Sequence, residues 1–188
     1  MLRRRSNEFE NDVQEGFVAI REKTGAWLHW VNPPVTPCGV RGNMPIFAMT
    51  GTALYDLAGW THQDFATPQS IGVELKQSSK YKASLPIIGP NKKGSGLQYH
   101  QLEGLAAMHR EGHIAGLLWS NGGAIGVAKG EVLASAFYDY EVSRIAEEAG
   151  QRPTKGARSI RWDKFCMVIG EEPEAWYLEC FHLPRSKP

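Results

Sequence analysis

Apolar positions recur at helical spacing near the start of the chain. Phe9, Val13, Phe17 and Ile20 share one face, which predicts a helix over residues 7–29 with Ser6 or Asn7 as its cap. Residues 32–45 are rich in Pro and Gly and predict a loop. Short strands are expected at 46–50, 54–60 and 70–77. The last of these alternates Ile71, Val73 and Leu75 with Gly72, Glu74 and Lys76. Residues 89–96 read as a flexible basic loop. A helix is expected over 97–111, with Leu102, Leu105, Ala106 and Met108 apolar and Gly112 as its stop. The run from Ile114 to Trp119, the turn Asn121-Gly122-Gly123 and the run from Ala124 to Ala128 predict a hairpin. A helix over 131–149 ending at Gly150, a loop at 151–159 and strands near 164–169 and 176–181 complete the chain. Helices and strands in this order make an α+β arrangement.

Length changes this picture little: 188 residues suit one domain. Charge changes it more. The formal net charge is +1, from 21 Lys+Arg against 20 Asp+Glu, which argues against holding nucleic acid by bulk charge. The distribution is uneven. Residues 71–110 carry six basic and two acidic side chains, and residues 111–150 carry two basic and six acidic. No apolar run approaches the roughly 18–20 residues that span a bilayer. The start, Met1-Leu2-Arg3-Arg4-Arg5, lacks the apolar region of a signal peptide. Cys38, Cys166 and Cys180 form no CxxC pair and are read as free thiols in a reducing compartment. A cytoplasmic protein with no membrane contact is the expectation.

One group of residues carries chemistry. Asp56 interrupts an apolar stretch, Tyr55-Asp56-Leu57-Ala58-Gly59, and Glu74-Leu75-Lys76 follows 18 residues later. In a strand, positions i and i+2 share a face, so Glu74 and Lys76 project to one side while Val73 and Leu75 face the core. With the Asp56 strand alongside, two carboxylates converge on one hard cation, a donor set that suits Mg²⁺. Lys76 beside them would offset charge on a phosphate. Taken alone, Glu-x-Lys equally describes an ion pair on a strand face.

The wider pattern resembles the PD-(D/E)xK nuclease superfamily, and within it the RecU-type Holliday-junction resolvases. Asp56-Leu57-Ala58-Gly59 is similar to the family's Asp-x-x-Gly. Glu74-Leu75-Lys76 precedes a Ser- and Lys-rich stretch, Gln77 to Ser84, that ends in Leu85-Pro86-Ile87, as in the family. His100-Gln101 opens a helix, Pro34-Val35-Thr36-Pro37 resembles an upstream Pro-Thr-Pro segment, and Arg158-Ser159-Ile160-Arg161 resembles a basic Ser-Ile-Arg segment. The likeness spans residues 8–162. It implies a restriction-endonuclease-like core, a central mixed β-sheet flanked by helices, in a single nuclease domain over 1–188, with 33–51 as a shortened stalk. It implies a Mg²⁺-dependent crossover junction endodeoxyribonuclease of DNA recombination and repair, with Mn²⁺ as a substitute. Asp56, Glu74 and Gln101 would serve the metal and Lys76 the transition state. Without the family, Gln101 reads as a helix N-terminal residue bonding a loop backbone. Glu10 is a further acidic candidate on the first helix.

The chain departs from the family at Leu54, where a metal-site Thr is usual, in its short stalk segment and in its N-terminal arm, reduced to Arg3-Arg4-Arg5. Lys80, Lys82, Lys92, Lys93, Arg41, Arg158 and Arg161 are candidate phosphate contacts, of the kind that position DNA without reading bases. Trp27, Trp30 and Trp119 sit in apolar patterns and are expected in the core. The resemblance further implies branched DNA as substrate, a C2 homodimer and recombination proteins as partners. The alternatives are a mobile-element nuclease for other branched or duplex DNA, and a non-catalytic DNA-binding relative. No GxSxG elbow or P-loop is present.

Overall fold

The computed structural model describes residues 27–31, 35–41, 44–49, 56–61, 69–90, 92 and 94–167, together with residues 9, 11, 13, 15, 16 and 21 of an N-terminal helix. On that helix Phe9 and Val13 are buried while Asn11, Glu15 and Arg21 are exposed, the amphipathic face that their spacing predicts.

Among the described residues, eleven strands and two further helices follow. The strands are β1 (Trp27–Trp30), β2 (Val35–Arg41), β3 (Met44–Met49), β4 (Leu57–Trp60), β5 (Ser70–Ser78), β6 (Ser84–Ile88) and β7 (Leu97–Gln98), then β8 (Ile114–Asn121), β9 (Ala124–Lys129), β10 (Ser159–Arg161) and β11 (Cys166–Met167). The helices are α1 (Tyr99–Arg110), between β7 and β8, and α2 (Gly130–Glu148), after β9. Six strands form the main sheet in the order β1-β4-β5-β8-β9-β11. The β1–β4 and β4–β5 pairs are antiparallel, β8 is parallel to β5, and the β8–β9 and β9–β11 pairs are again antiparallel. The parallel step is made through α1, because a parallel neighbour needs a crossover. The chain is therefore α+β with a mixed sheet flanked by helices.

The helix side of the sheet holds a continuous apolar core. Leu102 and Leu105 of α1, Leu133 and Tyr140 of α2, and Leu117 and Trp119 of β8 belong to it. The small sheet β10-β6-β7 adds Leu85, Ile87, Leu97 and Ile160. α1 and α2 approach closely at Gly130, where a Cβ would lie 2.5 Å from His109 Nδ1. The β8–β9 turn is Gly122-Gly123 with φ of +65° and +96°, the paired positive angles of a two-residue hairpin.

Several expectations change. Residues 27–30 form β1, not the end of a helix, since the apolar period ends at Ile20 and Trp-Leu-His-Trp suits a strand. Residues 35–41, expected as loop, form β2 and pair with β3 (44–49) as a hairpin with a register shift between Pro37 and Gly39. Its strand β3, expected at 46–50, lies outside the main sheet. β4 begins at Leu57, so Asp56 occupies the bend before the strand. Residues 162–164 are a 3₁₀ turn, β11 is described over Cys166–Met167, and the rest of the strand expected near 164–169 lies outside the described residues. Trp119 is in the core, but Trp30 is 37% exposed. The strand expected at 176–181 and the side chain of Trp27 lie outside the description. Among the described residues, no helix is long and apolar enough to cross a membrane. Cys166 is a free, exposed thiol.

Candidate metal and nucleic-acid site

The β4–β5 register pairs Leu57 with Val73, so the next step back sets Asp56 opposite Glu74. The Leu75 N–H donates to Asp56 Oδ2 at 2.8 Å, and the Val31 N–H donates to the Asp56 carbonyl at 2.8 Å. Backbone on both sides thus fixes Asp56. Glu74 lies on the central strand under α1 and is 0% exposed. Val73 is buried as expected, but Leu75 is half-buried and Glu74 itself is sealed from solvent.

Two donors share one oxygen of Glu74. The Lys76 ammonium donates to Oε1, and Gln101 Nε2 donates to the same atom at 2.6 Å. Gln101 is held in turn because its Oε1 accepts the Gln98 N–H at 3.0 Å, the reciprocal bond of a capped helix start. Both readings of Gln101 therefore meet in one side chain: it bonds loop backbone and it touches the site. In this arrangement its oxygen faces the cap, so Gln101 orients Glu74 through its nitrogen.

The other oxygen, Glu74 Oε2, is buried and has no hydrogen-bond partner. Burial pushes the Glu74 carboxyl up to about 7; the Asp56 charge adds to the push and the Lys76 ammonium opposes it. A carboxylate oxygen buried without a partner is costly. A divalent cation beside Asp56 and Glu74 would satisfy it. The described residues hold no cluster of three or more His, Cys, Asp or Glu side chains. An all-oxygen pair of carboxylates suits Mg²⁺, a hard cation that takes oxygen ligands, better than zinc, which favours N and S ligands.

The candidate phosphate contacts fall into two sets. Lys80, Lys82 and Lys92 are exposed. Arg158 is paired with Glu147, and Arg161 with Asp163 at 2.6 Å. The basic residues that follow the Glu74 strand thus keep their charge available, while those of the 151–161 segment are partly neutralised. Arg41 lies in β2 with its side chain outside the description. Lys93, Leu54 and Glu10 are outside the described residues. A groove of about 470 Å³ between α2 and residues 154–164 is lined by Glu131, Asp139, Lys155 and Lys164 among others, and contains none of the four site residues.

Sequence reasoning passed over Tyr81 and Asn121. Asn121 was visible only as a turn residue, and its side chain instead reaches across to the backbone of Lys82.

No family model matches the chain, and no curated protein sequence matches it.

Proposed function

We propose that the chain is a Mg²⁺-dependent, structure-selective DNA endonuclease that resolves Holliday junctions by hydrolysing phosphodiesters on two strands. One observation carries the reading: Asp56, in the bend before β4, stands opposite Glu74 of β5, with Lys76 on Glu74 and with Glu74 Oε2 buried and unpartnered. The resemblance of the Asp56, Glu74-x-Lys76 and His100-Gln101 motifs supports it, as does their arrival on a mixed sheet flanked by helices, the arrangement expected of a restriction-endonuclease-like core.

Bound Mg²⁺ would supply Lewis-acid polarisation of the phosphate and a nucleophilic water at neutral pH. The chain's own residues do the rest. Asp56 and Glu74 hold the cation, Asp56 fixed by the Leu75 N–H. Gln101 keeps the Glu74 carboxylate turned toward Asp56. Lys76, 20% exposed, sets a fixed positive charge where negative charge grows as water oxygen bonds to phosphorus and one P–O ester bond breaks. Lys80, Lys82 and Lys92 contact neighbouring phosphates and orient the strand.

A four-way junction offers two equivalent strands, so a C2 homodimer acting in the cytoplasm, alongside recombination proteins, is part of the proposal. The second reading is a mobile-element nuclease for other branched or duplex DNA. It is favoured by the short β2–β3 hairpin, which spans Val35 to Met49 where the resemblance implies a stalk. Labelled four-way junction, nicked, flap and linear DNA in Mg²⁺ separate the two. Paired symmetric cuts confined to the junction support resolution, and equal cutting of linear duplex favours the second. Binding without cleavage in Mg²⁺ or Mn²⁺ would leave a non-catalytic DNA-binding protein.

A further inference from the structure

β5 does not end in a loose loop. After Ser78 the chain presents Lys80-Tyr81-Lys82, all three exposed, before β6 begins at Ser84. The segment is tied at both ends. Asn121, 1% exposed, accepts the Lys82 N–H on Oδ1 at 2.8 Å and donates from Nδ2 to the Lys82 carbonyl at 2.8 Å. The Gly122 N–H donates to the Ser78 carbonyl at 2.9 Å, Trp119 Nε1 donates to Ser78 Oγ at 3.0 Å, and the Trp162 N–H donates to the Ala83 carbonyl at 2.9 Å. The Gly122 turn lies against Tyr81 so closely that a Cβ there would come within 2.7 Å of the Tyr81 nitrogen.

The segment stands on the side of the sheet that holds Glu74. In the β5–β8 register Glu74, Lys76 and Ser78 pair with Leu117, Trp119 and Asn121 and share their face. The Trp119 ring meets Trp162 at 5.1 Å, and Trp162 meets Tyr81 edge-on at 6.4 Å. That edge contact gives the Tyr81 ring one neighbour and leaves the residue 64% exposed. Neither lysine is paired with a carboxylate among the described residues. An exposed aromatic ring on an anchored backbone between two available cations is a poor solution for packing and a good one for a nucleic-acid strand. Its ring stacks on a base while the cations take the phosphates on either side.

We infer that Lys80-Tyr81-Lys82 is a preformed nucleic-acid contact in which Tyr81 stacks on a base beside the cut site, and that Asn121 is the positioning residue that presents it. The inference rests on the nuclease reading for its substrate. It assigns Tyr81 and Asn121 a role that the sequence did not suggest.

The test measures binding of a labelled four-way junction in EDTA, by anisotropy across a salt series, with 2-aminopurine placed at successive positions near the crossover. Tyr81→Ala is expected to weaken binding by about tenfold and to remove 2-aminopurine quenching, while Tyr81→Phe restores both. Lys80→Ala with Lys82→Ala is expected to flatten the salt slope by about 1.5. Asn121→Ala, where it stays folded by circular dichroism, is expected to lose quenching and salt slope together. Should it unfold, the Tyr81 pair of variants decides alone. Wild-type affinity, quenching and salt slope in folded Tyr81→Ala and double-lysine variants would overturn the inference. Wild-type cleavage of the same junction in Mg²⁺ separates this failure from that of the nuclease reading. Cutting with Tyr81-independent binding defeats only the inference, and Tyr81-dependent binding without cutting defeats only the nuclease reading.

Discussion

Two acid–base clusters among the described residues, one on α2 and one on β5, obey different physics. On α2, Arg144 bridges Glu141 at 2.7 Å and Glu148 at 2.6 Å, one turn apart on the helix surface. Glu141 is held below the usual carboxylate range, chiefly by its hydrogen bonds from Arg144. Every charge there has a partner, and water screens the rest. On β5, Lys76 and Glu74 also form an ion pair, but Glu74 is sealed from solvent, pushed up to about 7, and left with one oxygen unpartnered beside Asp56. Complete surface pairing is a scaffold feature. Incomplete buried pairing is the feature on which the proposed cation site rests.

The contrast is broken most severely by substitution at the buried cluster. Asp56→Asn and Lys76→Ala are each expected to lower the single-turnover rate of junction cleavage by about 10²–10³-fold or more, with binding and circular dichroism retained. Loss of folding together with binding in Lys76→Ala would mean that its charge is structural.

The next effect is on stability. Glu74 rises from 4.5 to about 7 on folding, so the folded state binds its proton more tightly than the unfolded state. The sign follows: between these values the unfolded chain has released the proton and the native chain has not, so stability falls as pH rises through this window. Without metal, the loss from below pH 4.5 to above pH 7 is on the order of 3 kcal/mol from this group. Glu74→Gln is expected to flatten that fall in urea unfolding curves measured in EDTA. An unchanged pH slope would show that burial is not what holds Glu74.

Smaller again is the response to metal. At pH 8, Mg²⁺ at a hundred times its dissociation constant should stabilise the wild type by about 2.7 kcal/mol and leave Glu74→Gln unmoved, read as a shift in thermal midpoint. The smallest effect belongs to the surface cluster. Arg144→Ala should leave cleavage unchanged and the thermal midpoint close to wild type. A large loss there would erase the distinction between the clusters.

The legible and illegible parts divide along similar lines. The helix of Leu102 and Leu105, the Asn121-Gly122-Gly123 hairpin and the strand of Ile71 and Val73 were visible, because local period and turn chemistry agree with their tertiary surroundings. β1 was hidden, since Trp-Leu-His-Trp is too short to show a period and follows a strong helical pattern. The β2–β3 hairpin was hidden by Pro37 and Pro45, which read as loop and are tolerated in a hairpin outside the main sheet. At the site, Asp56, Glu74, Lys76 and Gln101 were singled out from spacing and resemblance. The sealing of Glu74 could not be seen, because it depends on α1 lying over β5. Nor could Asn121 be seen as a clamp, since its partner is a backbone 39 residues away.

The central claim is that Asp56 and Glu74 form a cation site that cuts branched DNA. Its most direct test is a Mg²⁺ titration of four-way junction cleavage by wild type and by folded Glu74→Gln at pH 8. The account predicts paired symmetric cuts by the wild type that saturate with Mg²⁺ and vanish in EDTA, and a rate at least about 10²-fold lower for Glu74→Gln at every concentration. Equal rates for the two proteins, or no cutting by the wild type at saturating Mg²⁺, would contradict it.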